Sequence, residues 1–192
     1  MDAGTKERAN TNRGLYKLTD HFFRFWYAFA FTNHSELETG DVDGVYEYAI
    51  APSLMSFASF PFEEICRQYV RELQKARVLP FRYEKMGRWF GKTTVRDEGE
   101  ELKLRIAETE IDVVAVSRQR KEYLIGECKF KNSPFRYAEY LDTLAKLTPQ
   151  KADALFYYAL FSASGFEKKI CEAAKQEENL YLYSLEDIVK IL

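Results

Sequence analysis

Three residues stand where chemistry is possible: Asp112, Glu127 and Lys129. The stretch "YLIGECKFKN" (123–132) opens as an apolar strand, yet places Glu127 and Lys129 in the same run with no turn residue between. Asp112 sits in a second apolar run, "EIDVVAVS" (110–117), and the polar tetrapeptide "RQRK" between the two runs reads as a hairpin loop. Side chains alternate along a strand, so Glu127 and Lys129 point to one face and Cys128 to the other. A hairpin centred between Gln119 and Arg120 pairs Asp112 with Glu127 and Ile111 with Cys128. Directly opposed Cβ atoms lie roughly 5 Å apart, so two carboxylates meet on one face beside an ammonium. Burying such a pair without partners costs several kcal/mol, and a strand that only had to fold would carry Val or Ile there. A divalent cation removes the repulsion. Mg²⁺ or Mn²⁺ takes oxygen ligands, often one or two carboxylates with water and phosphate. Lys129 would hold the attacking water or stabilise charge developing on a phosphoryl group. The competing reading is a structural ion pair of Lys129 with Asp112 or Glu127 at a sheet end.

These residues need elements to place them. "SFPFEEICRQYVRELQKARVL" (59–79) has Phe62, Ile65, Cys66, Tyr69, Val70 and Leu73 at helical spacing. Ser59 and Pro61 serve as its start signals. Glu63 falls at the border of its apolar stripe. Pro80 opens a strand over 81–91, and the charged segment 92–108 reads as a loop or irregular hairpin. After the two strands of the hairpin, 133–147 reads as a helix capped by Ser133. The run "ALFYYALFS" (154–162) suits a central buried strand. Residues 164–178 are an amphipathic helix, 179–184 a short strand, and "SLEDIVKIL" a last helix with Ser184 and Asp187 as capping box. The order is helix, three strands, helix, strand, helix, strand, helix, an α/β mixed sheet flanked by helices.

A helix-borne Glu followed by D-x(14)-E-x-K across a hairpin, in αβββαβ order, resembles the PD-(D/E)XK nuclease superfamily. More narrowly, "FEEICRQYV", "GRWFGK", "EIDVVAV" and "GECKF" resemble, in that order, the uncharacterised C-terminal domain of archaeal-type P-loop ATPases. "YKLTDHFFRFWYAF" resembles the segment that joins a winged-helix region to that domain. The resemblance implies a restriction-endonuclease-like fold acting on DNA with Mg²⁺ or Mn²⁺, an ATPase or winged-helix part as partner, and a possible homodimer. It assigns metal binding to Asp112, Glu127 and the Cys128 backbone carbonyl, catalysis to Lys129, and an auxiliary acidic role to Glu63. Ile111 stands where the superfamily's name has proline. The polar first 14 residues read as disordered or tag-like, and the resemblance implies an aromatic helical extension over 15–58 and the nuclease-like domain over 59–192.

Composition bounds the rest. The 192 residues carry a net charge of −2, with 46 % hydrophobic and 16 % aromatic residues, so the chain is no generally basic nucleic-acid coat. Cys66, Cys128 and Cys171 form no spaced pair, which suits a reducing cytoplasm and argues against disulfides or zinc. The apolar run "HFFRFWYAFAF" (21–31) is too short to span a bilayer and contains Arg24. It reads as a buried aromatic helix, with a docking surface as the second reading. The polar stretch 33–44 reads as a loop, and a further helix through 45–58 breaks near Pro52. "GRWFGKTT" has one residue too few between its glycines for a phosphate loop and reads as a strand end. Arg88, Lys92, Arg118, Arg120, Lys121, Lys131 and Arg136 cluster near strand ends, as contacts to a nucleic-acid backbone or as solvated loop charge. Gln150 reads as a helix-terminal residue, and Cys128 as a buried thiol rather than a nucleophile.

Overall fold

The computed structural model describes residues 18–96, 104–146 and 153–191. The segment 1–14 expected to be disordered, and Gln150, lie outside these. The chain divides into two compact units, one reaching to Pro61 and one from Phe62 onward.

The second unit is built on five strands in the order β1-β2-β3-β4-β5. They are β1 (Tyr83–Arg96), β2 (Leu104–Ser117), β3 (Glu122–Lys129), β4 (Leu155–Ser162) and β5 (Leu180–Ser184). β1, β2 and β3 are antiparallel neighbours, while β3, β4 and β5 run parallel. The sheet is therefore mixed, as the alternation of hairpins and helical crossovers requires. One face packs against the long helix α4 (Ala51–Lys75) and the last helix α7 (Leu185–Ile191). That core holds Cys66, Tyr69, Val70, Val113, Leu124, Phe161 and Ile188. The other face is covered by α5 (Tyr137–Ala145) and α6 (Lys168–Gln176) over Ile111, Val114, Ile125, Tyr140, Leu160 and Ile170. β4 is an inner strand with Leu160 and Phe161 fully buried on opposite faces, which explains its unbroken apolar run. The α7 capping box forms as its spacing requires: the Ser184 N–H donates to Asp187 at 2.9 Å and the Asp187 N–H to Ser184 Oγ at 3.3 Å.

Several sequence expectations need correction in this unit and at its entry. Helix α4 does not start at Ser59. It runs through Pro61, and the Ser59 hydroxyl donates back to the Ser56 carbonyl at 2.7 Å instead of capping. Nor does Pro52 break a separate helix. A π-helical turn, Tyr46–Ile50, precedes it and widens the coil where the proline ring would clash. α4 ends at Lys75, with Arg77 left-handed at φ 60° and the Val78 N–H bonded to the Leu73 carbonyl at 3.0 Å, a Schellman closure. Of the two readings of 92–108, loop or irregular hairpin, the hairpin holds, because β1 and β2 stay paired antiparallel out to Arg96–Leu104. "GRWFGKTT" is thus strand interior. α5 begins four residues late, since Phe135 is spent on a parallel bridge to Phe166, and Glu139 caps the helix by accepting the Arg136 N–H at 2.8 Å.

The first unit comprises α1 (His21–Phe25), a π-helical turn (Trp26–Ala30), α2 (His34–Glu38), α3 (Val42–Val45), the second π turn and the start of α4. Residues 33–44, expected as loop, thus hold α2 and most of α3. Asp20 caps α1 by accepting the Phe23 N–H at 3.0 Å. The expected burial of the aromatic helix fails: Phe22 is 67 % exposed, Phe31 61 % and Tyr27 55 %, and Phe29 alone of residues 21–31 is buried. Arg24 stacks on the Phe60 ring at 4.1 Å. No helix among the described residues is long and apolar enough to cross a membrane.

Candidate active site

The β2–β3 hairpin pairs Val113 with Gly126 and Val116 with Tyr123, so its centre falls where the sequence places it, between Gln119 and Arg120. The turn closes through Arg120, at φ 55°, whose N–H donates to the Ser117 carbonyl at 2.9 Å. Asp112 and Glu127 are next along that ladder. There the regular pairing stops, and the Asp112 carboxylate itself accepts the Cys128 N–H at 2.8 Å.

A β-bulge causes this. In the β1–β2 ladder Gly87 pairs with Val114 and Trp89 with Ile111, so the single residue Arg88 stands opposite two, Asp112 and Val113. The bulge breaks the alternation. Val113 joins the α4-side core, while Ile111 and Val114 both join the α5-side core. The expected pairing of Ile111 with Cys128 is therefore wrong, since Cys128 packs toward the α4 side. Gly126 lets the two strands close beside the site, because a Cβ there would lie 2.7 Å from that of Val113.

Glu127 is 7 % exposed and carries two ammonium partners. Lys129 Nζ is 2.7 Å from one carboxylate oxygen, and Lys146, at the end of α5, bonds the other. The ion pair of Lys129 with Glu127 is thus present. Burial, and then the adjacent Glu127, raise the Asp112 carboxyl above the usual carboxylate range. Burial alone would lower Lys129, but the charge and hydrogen bond of Glu127 outweigh it and hold the ammonium above its ordinary value. Glu63 approaches from α4. Its carboxyl is pushed up to about 7 by burial and by Asp112, with Arg88 and Arg67 opposing. Glu63 Oε2 is buried with no hydrogen-bond partner, 3.3 Å from Arg88 and 3.8 Å from Arg67. The structure thus brings Glu63, Asp112, Glu127 and Lys129 together at one end of the sheet. Burial lifts the Cys128 thiol well above its usual range, consistent with a core thiol.

Among the described residues, no three His, Cys, Asp or Glu side chains gather into a metal-holding group. The donor chemistry still fits a hard divalent ion. Glu127 raises the proton affinity of the neighbouring Asp112 carboxyl, a third carboxylate, Glu63, lies close enough to Asp112 to be raised by it, and Mg²⁺ accepts two carboxylates completed by water. A cation here would have to displace an ammonium from Glu127.

Sequence reasoning does not single out Lys146 or Arg67. Lys146 has no spacing relation to Glu127 that marks it. Arg67 is readable in principle, being four residues from Glu63 on one helix face. Of the expected backbone-contacting cations, Arg88 bonds Glu110 and Lys131 holds Glu139 at 2.8 Å, whereas Arg118 is 89 % exposed.

A model of the DUF234 family, archaeal and bacterial proteins of unknown function, matches residues 26–141. The chain belongs to that family. The DUF234 match runs from the π-helical turn after α1 into α5 and so includes Glu63, Asp112, Glu127 and Lys129, but stops before Lys146. An uncharacterised protein of Methanocaldococcus jannaschii is 29 % identical over 184 residues, covering 94 % of this chain and 36 % of its own length. The chain thus spans about a third of that relative. A crystal structure of a protein of unknown function, AF1548, aligns over 64 % of this chain and 65 % of its own, at 18 % identity and a TM-score of 0.36. So low a score decides nothing about fold or activity.

Proposed function

We propose that the chain is a metal-dependent phosphodiesterase acting on DNA, with its reaction centre at Asp112, Glu127 and Lys129. The observation that carries this is the meeting of half-buried Asp112 and buried Glu127 at a bulged sheet end, with Lys129 2.7 Å from Glu127. Asp112, Glu127 and the Cys128 carbonyl would hold Mg²⁺ or Mn²⁺. The ion, when bound, polarises phosphate and acidifies water. Lys129 then stabilises charge on the phosphoryl oxygens as water attacks in line. Lys146, freed from Glu127, adds a second ammonium to the same anion. Glu63, titrating near neutrality, is suited to exchange a proton beside Asp112.

One observation favours a second reading. Both Glu127 oxygens already have ammonium partners, which suits a module that keeps the fold for DNA binding or for regulating a partner ATPase, without turnover. The test is cleavage of linear, nicked, branched and supercoiled DNA with Mg²⁺, Mn²⁺ or EDTA, beside Asp112→Ala and Lys129→Ala. Metal-dependent cutting lost in both variants supports hydrolysis. DNA binding without cutting supports the regulatory reading, and cutting that survives both substitutions overturns the site.

A further inference from the structure

The bulge at Asp112 needs something to hold it. A bulge leaves a residue outside the ladder, and its buried backbone groups need other partners. The Asp112 carbonyl finds one on a different element. Arg67 of α4, only 5 % exposed, donates to it through Nη1 at 3.0 Å. The same guanidinium reaches Glu64 at 2.9 Å through Nη2 and lies 3.8 Å from Glu63. Its charge is thus balanced on α4 itself, which lets a buried arginine persist there. Arg88, the bulge's opposite number on β1, is turned to Glu110 and Glu63. Backbone direction at Asp112 sets where its carboxylate goes, and the carboxylate ends on the Cys128 N–H at 2.8 Å, beside Glu127.

We infer that Arg67 is a positioning residue: it fixes the backbone of the bulge so that the Asp112 carboxylate is aimed across β3 at the Cys128 N–H and Glu127. This rests on the proposed site for its functional meaning, but its geometry does not depend on a metal. A purely structural arginine would instead fasten α4 to the sheet and leave the folded site unchanged when removed.

The test uses the full chain with Arg67→Met and Arg67→Lys, each confirmed folded by near-ultraviolet circular dichroism. Amide hydrogen exchange is read at Cys128 and, as control within the same strand, at Leu124. The expected result is a tenfold or greater acceleration at Cys128 relative to Leu124 in Arg67→Met, partly restored in Arg67→Lys, which keeps a donor and a charge. Equal acceleration at both amides, or none at either, overturns the inference. If Arg67→Met does not fold, Arg67→Lys decides the matter by the same selective criterion. Mn²⁺ titration of the same samples separates the two claims. Selective loosening at Cys128 with a roughly tenfold weaker Mn²⁺ site supports both. Selective loosening in a protein that binds no Mn²⁺ supports positioning and removes the metal reading. Tight Mn²⁺ binding without selective loosening removes positioning and leaves the metal reading standing.

Discussion

In the sheet unit Leu160, Phe161 and Ile125 are sealed between helices, whereas in the unit ending at Pro61 the side chains of Phe22, Tyr27 and Phe31 stand more than half exposed. Both stretches are rich in large apolar residues. Their difference lies in what each element is given to pack against. β4 lies between two neighbours with helices on either face, so every side chain in its second half has a partner. α1 and its π-helical extension are short, and their aromatics mostly meet one another, as Phe22 with Trp26 and Tyr27 with Phe31. Apolar content measures how much surface a segment offers for burial. It does not say that the burial occurs within the same chain.

The sharpest way to break this comparison is to truncate one aromatic in each unit. Phe161→Ala should cost about 4 kcal/mol of stability, through lost burial and a cavity. Phe22→Ser should change it by no more than about 0.5 kcal/mol. Urea unfolding of both variants checks this, and a large loss at Phe22 would mean the first unit buries its aromatics after all.

Glu63 sharpens the contrast from the polar side, because its carboxyl is strained by the burial that the sheet unit provides. That carboxyl is raised from 4.5 to about 7, so below pH 4.5 it is protonated folded or unfolded and costs nothing. As pH rises to 7 the unfolded state ionises first, and folding loses about 2 kcal/mol, less than the full shift because solvent screens a half-buried carboxyl. Glu63→Gln should therefore be more stable than the parent at pH 8 by a figure of that order, with no gain at pH 4. Urea midpoints at the two pH values decide it.

Gly126→Ala tests the closeness of the strands beside the site. With its Cβ 2.7 Å from Val113 and 3.2 Å from the Phe161 ring, it should cost about 1–3 kcal/mol. Thermal unfolding reads this, and a neutral result would show that the hairpin has room to spread. The smallest expected effect is a gain. Arg77→Gly relieves a left-handed arginine at the end of α4 and should stabilise by about 0.5–1 kcal/mol in the same assay.

What is legible in the sequence is local or periodic. The Ser184–Asp187 capping box depends on three residues of spacing, and it forms. The hairpin centre follows from two apolar runs around "RQRK", and the observed register has it. The order of strands and helices follows from alternation and helical spacing. What is not legible depends on partners distant in sequence. Nothing near Asp112 announces a bulge, which exists because β1 supplies one residue against two. Pro61 and Ser59 carry helix-start signals that the helix overrides by continuing from Ala51. The start of α5 is delayed by a bridge between Phe135 and Phe166, far apart in the chain. Glu63, Asp112, Glu127 and Lys129 stand out because their residue types are costly in a strand or at a helix border. Lys146 does not, because a lysine at a helix end costs nothing that a sequence reveals, and the spacing of Arg67 from Glu63 says nothing of the distant Asp112 carbonyl that it bonds.

On the proposed reading, Asp112 and Glu127 meet in order to share a divalent cation. Isothermal titration of Mn²⁺ into the wild-type chain and into Asp112→Asn tests this most directly. The predicted result is one saturable site in the wild type, weakened at least tenfold in the variant while its circular dichroism is unchanged. Equal affinity in both proteins, or no binding to either, would contradict it and leave Glu127 with Lys129 and Lys146 as a structural ion cluster.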